Sequence, residues 1–205
     1  MIDAAMYAFV KRFAEEHDPL GTKLETRFPF RRLYEHGFRC AKCAERISAV
    51  EGGDAEVAVV SALFHDIGKS VDNTRPGHAE KGAEICGAYL ASVGFDREKA
   101  ARIVAIVRNH IHHSSDGPIE ALVESDADLL DETGAMTVLW DAMAVGADKG
   151  PSYMAACERI RKTYEALASR PDADFKTRTG KRIFRERMDV LGEFLKSLSA
   201  ELGLA

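Results

Sequence analysis

The chain is predicted to be all-α, a helical bundle. Two observations carry that reading: apolar residues recur at helical spacing along most of the 205 residues, and capping or breaking residues stand where the apolar stripes begin and end.

In order, residues 3–16 place Ala5, Met6, Phe9, Val10 and Phe13 on one stripe. Asp18-Pro19-Leu20-Gly21 breaks that pattern, and Pro29 suits the opening of the next helix. From Phe30 to Val50 the apolar positions are Leu33, Phe38, Ala41, Ala44 and Ile47, with Gly52-Gly53 as the stop. Asp54 is an N-cap for an apolar run, Val57 to Phe64, that ends in His65-Asp66-Ile67-Gly68-Lys69. Gly68 reads as a left-handed helix stop, which sends Lys69 out as a mobile cation. A polar loop is expected from Ser70 to Gly77, then helices over His78–Ser92, from Asp96 to about His110, and over Ile119–Leu130 after the turn Asp116-Gly117-Pro118. Segment 133–147 is apolar on most sides and is expected inside the bundle. Pro151 starts a helix to about Ala168, Ser169 to Thr179 reads as a loop or mobile excursion, and an amphipathic helix spans Gly180–Leu202.

The expected organisation is one domain. Residues 1–28 form an N-terminal helix and linker packed on a core at 29–168, and 169–205 complete it with a loop and C-terminal helix. At 46% hydrophobic and 30% charged the composition is that of a globular protein. A net charge of −5 argues against a mainly electrostatic nucleic-acid binder. No window approaches the ~18 apolar residues of a membrane span, and the N-terminus lacks a signal-peptide pattern, so a cytoplasmic location is expected. The four cysteines then read as thiols. Cys40-Ala41-Lys42-Cys43 lies within a helical pattern with no second pair to complete a zinc site, which favours core packing over metal or redox chemistry.

A carboxylate beside an imidazole at the end of an apolar run is costly to bury unless a cation lies between them. A divalent metal is the simplest such cation, since both groups are metal ligands. His36, His65-Asp66 and Asp126-Ala127-Asp128 supply imidazoles and carboxylates from three helices, the way bundles build metal sites.

In their order, Glu35-His36, Phe64-His65-Asp66-Ile67-Gly68-Lys69 and Ser125-Asp126-Ala127-Asp128-Leu129-Leu130-Asp131 resemble the H…HD…D signature of the HD-domain superfamily of metal-dependent phosphohydrolases. Gly77-His78-Ala79-Glu80-Lys81-Gly82-Ala83, Ile106-Val107-Arg108-Asn109-His110 and Thr177-Arg178-Thr179-Gly180 extend the likeness to small stand-alone bacterial members, over about 30 to 200. The resemblance implies an HD-type helical bundle with His36, His65, Asp66 and Asp128 as metal ligands. Asp126 is the alternative to Asp128, and Asp131 would orient a ligand. His78 and His110 match positions that hold a second metal or contact phosphate in some relatives.

Asp66 and Lys69 would be the catalytic pair: Asp66 binds metal and holds the attacking water, and Lys69 neutralises substrate phosphate, assisted by Arg108 or Lys81. The implied cofactor is a divalent ion (Mn, Fe, Co, Ni, Zn or Mg), and the implied partner a phosphorylated small molecule, nucleotides first. Alternatives are a cyclic-nucleotide or alarmone-type substrate, a non-catalytic nucleotide sensor and, third, a structural scaffold.

Overall fold

The computed structural model describes residues 3–18, 30, 32–112, 115–148, 150, 152–171 and 174–203. Among them there is no strand, and the helices are α1 (Ala4–His17), α2 (Leu33–Glu51), α3 (Ala55–Phe64), α4 (Arg75–Ser92), α5 (Arg97–Asn109), α6 (Ile119–Leu130), α7 (Ala135–Gly146), α8 (Tyr153–Ala168) and α9 (Arg178–Glu201). No helix among the described residues is long and apolar enough to cross a membrane. The chain divides into two compact units, Met1–Leu129 and Leu130–Ala205. The expected break at Pro19–Gly21 and the helix starts at Pro29 and Pro151 lie outside the described residues.

In the first unit α3 is the axis. Every residue from Val57 to Phe64 is buried, so the apolar run is a helix enclosed on all sides rather than a stripe. Each fully buried Val, Leu or Phe there contributes about 1.5–3 kcal/mol. Asp54 caps α3 as expected, its carboxylate accepting from the backbone N–H groups of Glu56 (3.1 Å) and Val57 (3.3 Å). Packed against α3 are α2, α5 and, through Phe9, α1, whose Phe9 ring stacks on Tyr89 of α4 at 4.3 Å. Cys40, Cys43 and Cys86 fill this interior as buried thiols outside any disulfide, and burial pushes the Cys86 thiol up.

Three glycines set how closely the helices approach. A Cβ on Gly37 would lie 2.7 Å from the Leu63 carbonyl oxygen of α3, and one on Gly82 would lie 3.2 Å from the His65 carbonyl oxygen. Gly68 does not have the left-handed conformation expected of a helix stop. It lies in a tight helical turn, Ile67–Ser70, and is absent from the positive-φ residues. Its role is steric: a Cβ there would come within 2.0 Å of the His78 carbonyl oxygen and 2.5 Å of the Gly82 nitrogen. The expected polar loop is correspondingly shorter, because Ser70 is buried and α4 starts at Arg75.

The second unit holds α7, α8 and α9 around Ile160, Leu191 and Leu195, with Val138, Tyr164 and Leu167 packed on them. Here the expectation for 133–147 fails. Helix α7 buries Thr137, Asp141, Ala144 and Val145, while Leu139 (57%) and Met143 (49%) are exposed. Asp141 is buried because Arg159 reaches it at 2.7 Å, which composition does not reveal. The stretch before α9 is also no excursion where it is described. Phe175 is buried against Phe184, and Thr177 caps α9 by accepting from the Gly180 N–H.

Gly68→Ala is expected to destabilise the protein by on the order of 1–3 kcal/mol, as overpacking does. Gly146→Ala, at a helical position with nothing within 4 Å, should stay within about 1 kcal/mol of wild type on the stabilising side. Urea denaturation of the two variants checks both.

Candidate metal centre

Five helices and one turn converge on Asp66. His65 is the residue that ends α3, wholly buried, and Asp66 follows in the sparsely populated bridge conformation (φ −100°, ψ 0°) that opens the Ile67–Ser70 turn. His36 arrives from α2, His78 from the first turn of α4, His110 from the end of α5 and Asp128 from α6. Gly37, Gly68 and Gly82 therefore do more than tighten packing. They bring the backbones bearing His36, His65-Asp66 and His78 within reach of one another.

The two oxygens of Asp66 face two different imidazole pairs. Oδ2 lies 3.4 Å from His36 Nε2 and 3.6 Å from His65 Nε2. Oδ1 lies 3.7 Å from His78 Nε2 and 3.4 Å from His110 Nε2. Within the pairs the Nε2 atoms are 3.1 Å apart (His36, His65) and 3.2 Å apart (His78, His110). Asp128 Oδ1 closes the first group, 3.3 Å from His36 Nε2 and 3.4 Å from His65 Nε2.

The tautomers show what this arrangement demands. His78 Nδ1 donates to the Thr74 carbonyl (2.9 Å) and His110 Nδ1 donates to the Val107 carbonyl (2.7 Å). In the neutral rings both Nε2 atoms then present lone pairs to each other. His65 Nδ1 donates to the Ala62 carbonyl (2.9 Å), which turns its Nε2 lone pair towards two carboxylates. Only a cation, or protons in its stead, relieves such contacts. The metal-free electrostatics say the same: burial works against charge on His65, yet Asp66 and Asp128 push the imidazole up to about 9. Although burial opposes it, His65 holds Asp66 well below the ordinary range, with hydrogen bonds from His110 and His36 adding to the effect, and His65 does the same for Asp128.

The donor set fits divalent metal at two adjacent positions. His36, His65 and Asp128, with the Cys40 sulfur 3.8 Å from His36 Nε2, form one group of convergent ligand atoms, and Asp66, His78 and His110 form another. Asp126 is fully buried but belongs to neither; two residues along a helix it faces nearly opposite Asp128. Lys69 is not the mobile cation expected of it, for its Nζ donates to Asp66 Oδ2 at 2.5 Å. Arg108 and Lys81 pair on the surface with Glu80 (3.0 Å) and Glu84 (2.7 Å).

One residue of this neighbourhood escaped the sequence reading. Glu124, 2% exposed, sits one helical turn before Asp128, and its Oε1 has no hydrogen-bond partner among the described residues. Burial pushes its carboxyl up to about 7. The available signal was its spacing, four residues from Asp128 and so on the same face of α6.

With this geometry in view, a model of the HD domain matches residues 33–133. Residues 33–133 form an HD domain. Metal-dependent phosphohydrolysis with a divalent cation is the chemistry of that class. Among curated proteins, ribonuclease Y of Sulfurovum sp. (strain NBC37-1) is 29% identical over 162 residues, covering 75% of this chain and 30% of that protein. Ribonuclease Y of Mycoplasma mycoides is 35% identical over 100 residues, covering 42% and 24%. This chain thus spans less than a third of their length. Among solved structures, an HD-superfamily hydrolase from Bacillus thuringiensis aligns with a TM-score of 0.67 at 20% identity, covering 98% of this chain and 96% of that one. An HD superfamily hydrolase from an uncultured Thermotogales bacterium gives 0.64 at 24%, covering 97% and 91%. Bacillus subtilis YpgQ in complex with ADP gives 0.61 at 22%, covering 96% of each. These likenesses show the fold.

The His65 and Glu124 shifts fix a pH dependence for metal-free protein. Both groups bind their protons more tightly folded than unfolded. The stability tied to Glu124 is therefore full below about 4.5 and lost by about 7; that tied to His65 is full below about 6.5 and lost by about 9. Melting curves of chelator-treated protein should show Tm falling from pH 6.5 to 9, and saturating divalent metal should abolish the fall.

Proposed function

We propose that the protein hydrolyses phosphate-ester or pyrophosphate bonds of nucleotides at a metal centre built around Asp66. His36, His65 and Asp128 would hold one divalent ion with it, and His78 and His110 would hold a second. The observation that carries this reading is the orientation of Asp66, with one carboxylate oxygen towards each imidazole pair. Nucleotides are the favoured substrates because YpgQ, a fold relative over its whole length, binds ADP.

A divalent ion bound there lowers the pKa of its water, polarises a phosphoryl oxygen and orients the ester. The chain's own residues supply the rest. Backbone carbonyls of Ala62, Thr74 and Val107 hold three imidazoles in the Nδ1–H tautomer, so that each offers Nε2. Asp66 would orient the attacking water. Lys69 holds Asp66 ionised and, with a quarter of its side chain exposed, meets the incoming phosphate at the rim. A phosphodiester is the second reading, supported by the ribonuclease Y relatives.

Purified protein should contain one to two equivalents of transition metal by elemental analysis and hydrolyse members of a nucleotide panel. Asp66→Ala should remove turnover while helical circular dichroism stays unchanged; turnover retained in that variant would sink the assignment. Asp128→Asn should lower metal occupancy, and Asp126→Asn should not. Faster cleavage of short RNA or bis(p-nitrophenyl) phosphate than of any nucleotide would favour the second reading.

A further inference from the structure

Beside the metal centre lies a cavity of about 520 Å³ between α5 and α6. That is within the size range of small-molecule sites, roughly 300–1,000 Å³, and larger than a phosphate group needs. Its walls differ. Ala105, Ile106, Pro118 and Ala121 give an apolar surface, while His110 and Glu124 lie on the side of the metal centre. His110 belongs to both places, so cavity and centre are continuous.

Glu124 is the feature that calls for a ligand. It lines this cavity, it is 98% buried, and its Oε1 meets no hydrogen-bonding group among the described residues. Leaving a buried acceptor unsatisfied costs about 1–3 kcal/mol, or more when it is charged. An apolar residue would serve the fold better at this position.

We propose that the cavity takes the nucleoside part of the substrate, and that Glu124 hydrogen-bonds a sugar hydroxyl. This deepens the nucleotide reading above and rests on it. Two distances place the sugar, rather than the base, at Glu124. Residues four apart on a helix have Cβ atoms about 6 Å apart, so Glu124 is one short step from the Asp128 side of the centre. In a nucleoside 5′-phosphate the sugar hydroxyls are only a few covalent bonds from the phosphorus, and the base extends further. With the phosphate at the metals, a hydroxyl comes opposite Glu124 and the base lies against Ile106 and Ala121. The wall offers a flat apolar contact with every base, which predicts that sugar counts for more than base identity.

The test compares manganese-loaded wild type with Glu124→Leu and Ala121→Phe. Leucine is close to glutamate in volume and removes an unsatisfied buried carboxyl, so folding is expected to persist and circular dichroism checks it. Substrates are a ribonucleoside 5′-phosphate, its 2′,3′-dideoxy counterpart and p-nitrophenyl phosphate. Wild type should favour the hydroxyl-bearing nucleotide over the dideoxy one by at least about tenfold in kcat/KM, as one lost buried hydrogen bond implies. In Glu124→Leu that ratio should fall below about threefold. A role of Glu124 confined to the metals would move both rates together and leave the ratio intact. Ala121→Phe should lower the nucleotide to p-nitrophenyl phosphate ratio by about tenfold, independently of whether Glu124→Leu folds. Equal wild-type rates on the two nucleotides, or a ratio unchanged in Glu124→Leu, overturn the assignment of Glu124 and leave nucleotide hydrolysis standing. Hydrolysis of p-nitrophenyl phosphate with no nucleotide turned over overturns both.

Discussion

One carboxylate governs the first unit. Asp66 is 5% exposed, yet it is surrounded by four imidazole Nε2 atoms and the Lys69 ammonium. A buried anion is tolerable only where it is paired or ligates metal. Here the pairing comes from residues spread between positions 36 and 110, so every helix from α2 to α5 must be in register for Asp66 to be satisfied. The centre is thus a constraint on the fold as well as its functional product.

The architecture around α3 meets that constraint with a division of labour. An entirely apolar helix supplies hydrophobic stabilisation up to Phe64, and its terminus then carries the costly groups. Glycines at 37, 68 and 82 remove the Cβ atoms that would hold neighbouring backbones apart. Each histidine whose Nδ1 is tied to a carbonyl one turn back is fixed in orientation by its own helix or turn. The remaining electrostatic strain, lone pair against lone pair and lone pair against carboxylate, is what metal binding relieves. Metal affinity and apo stability are therefore expected to oppose each other in this unit.

Much of this was legible in the residues. The helical stripes and the Asp54 cap appear in the structure where local rules put them, and His36, His65, Asp66 and Asp128 come together there. The misreadings share a cause. Gly68 looked like a left-handed stop because local rules know only φ, whereas its reason is the carbonyl of His78, ten residues away. Leu139 and Met143 looked internal because apolar content was counted without knowing that Arg159 takes Asp141 into the interior of the second unit. Phe175 looked like part of a loop, and Phe184 makes it core.

By itself the sequence determined the all-helical class and which residues are candidate metal ligands, since periodicity and ligand chemistry are properties of short segments. Only the tertiary structure decided which oxygen of Asp66 faces which imidazole pair, that Lys69 is held by Asp66, and that Glu124 opens onto a cavity. Those facts depend on the distances and angles between helices, which arise when distant backbones pack together and are encoded in no single stretch of the chain.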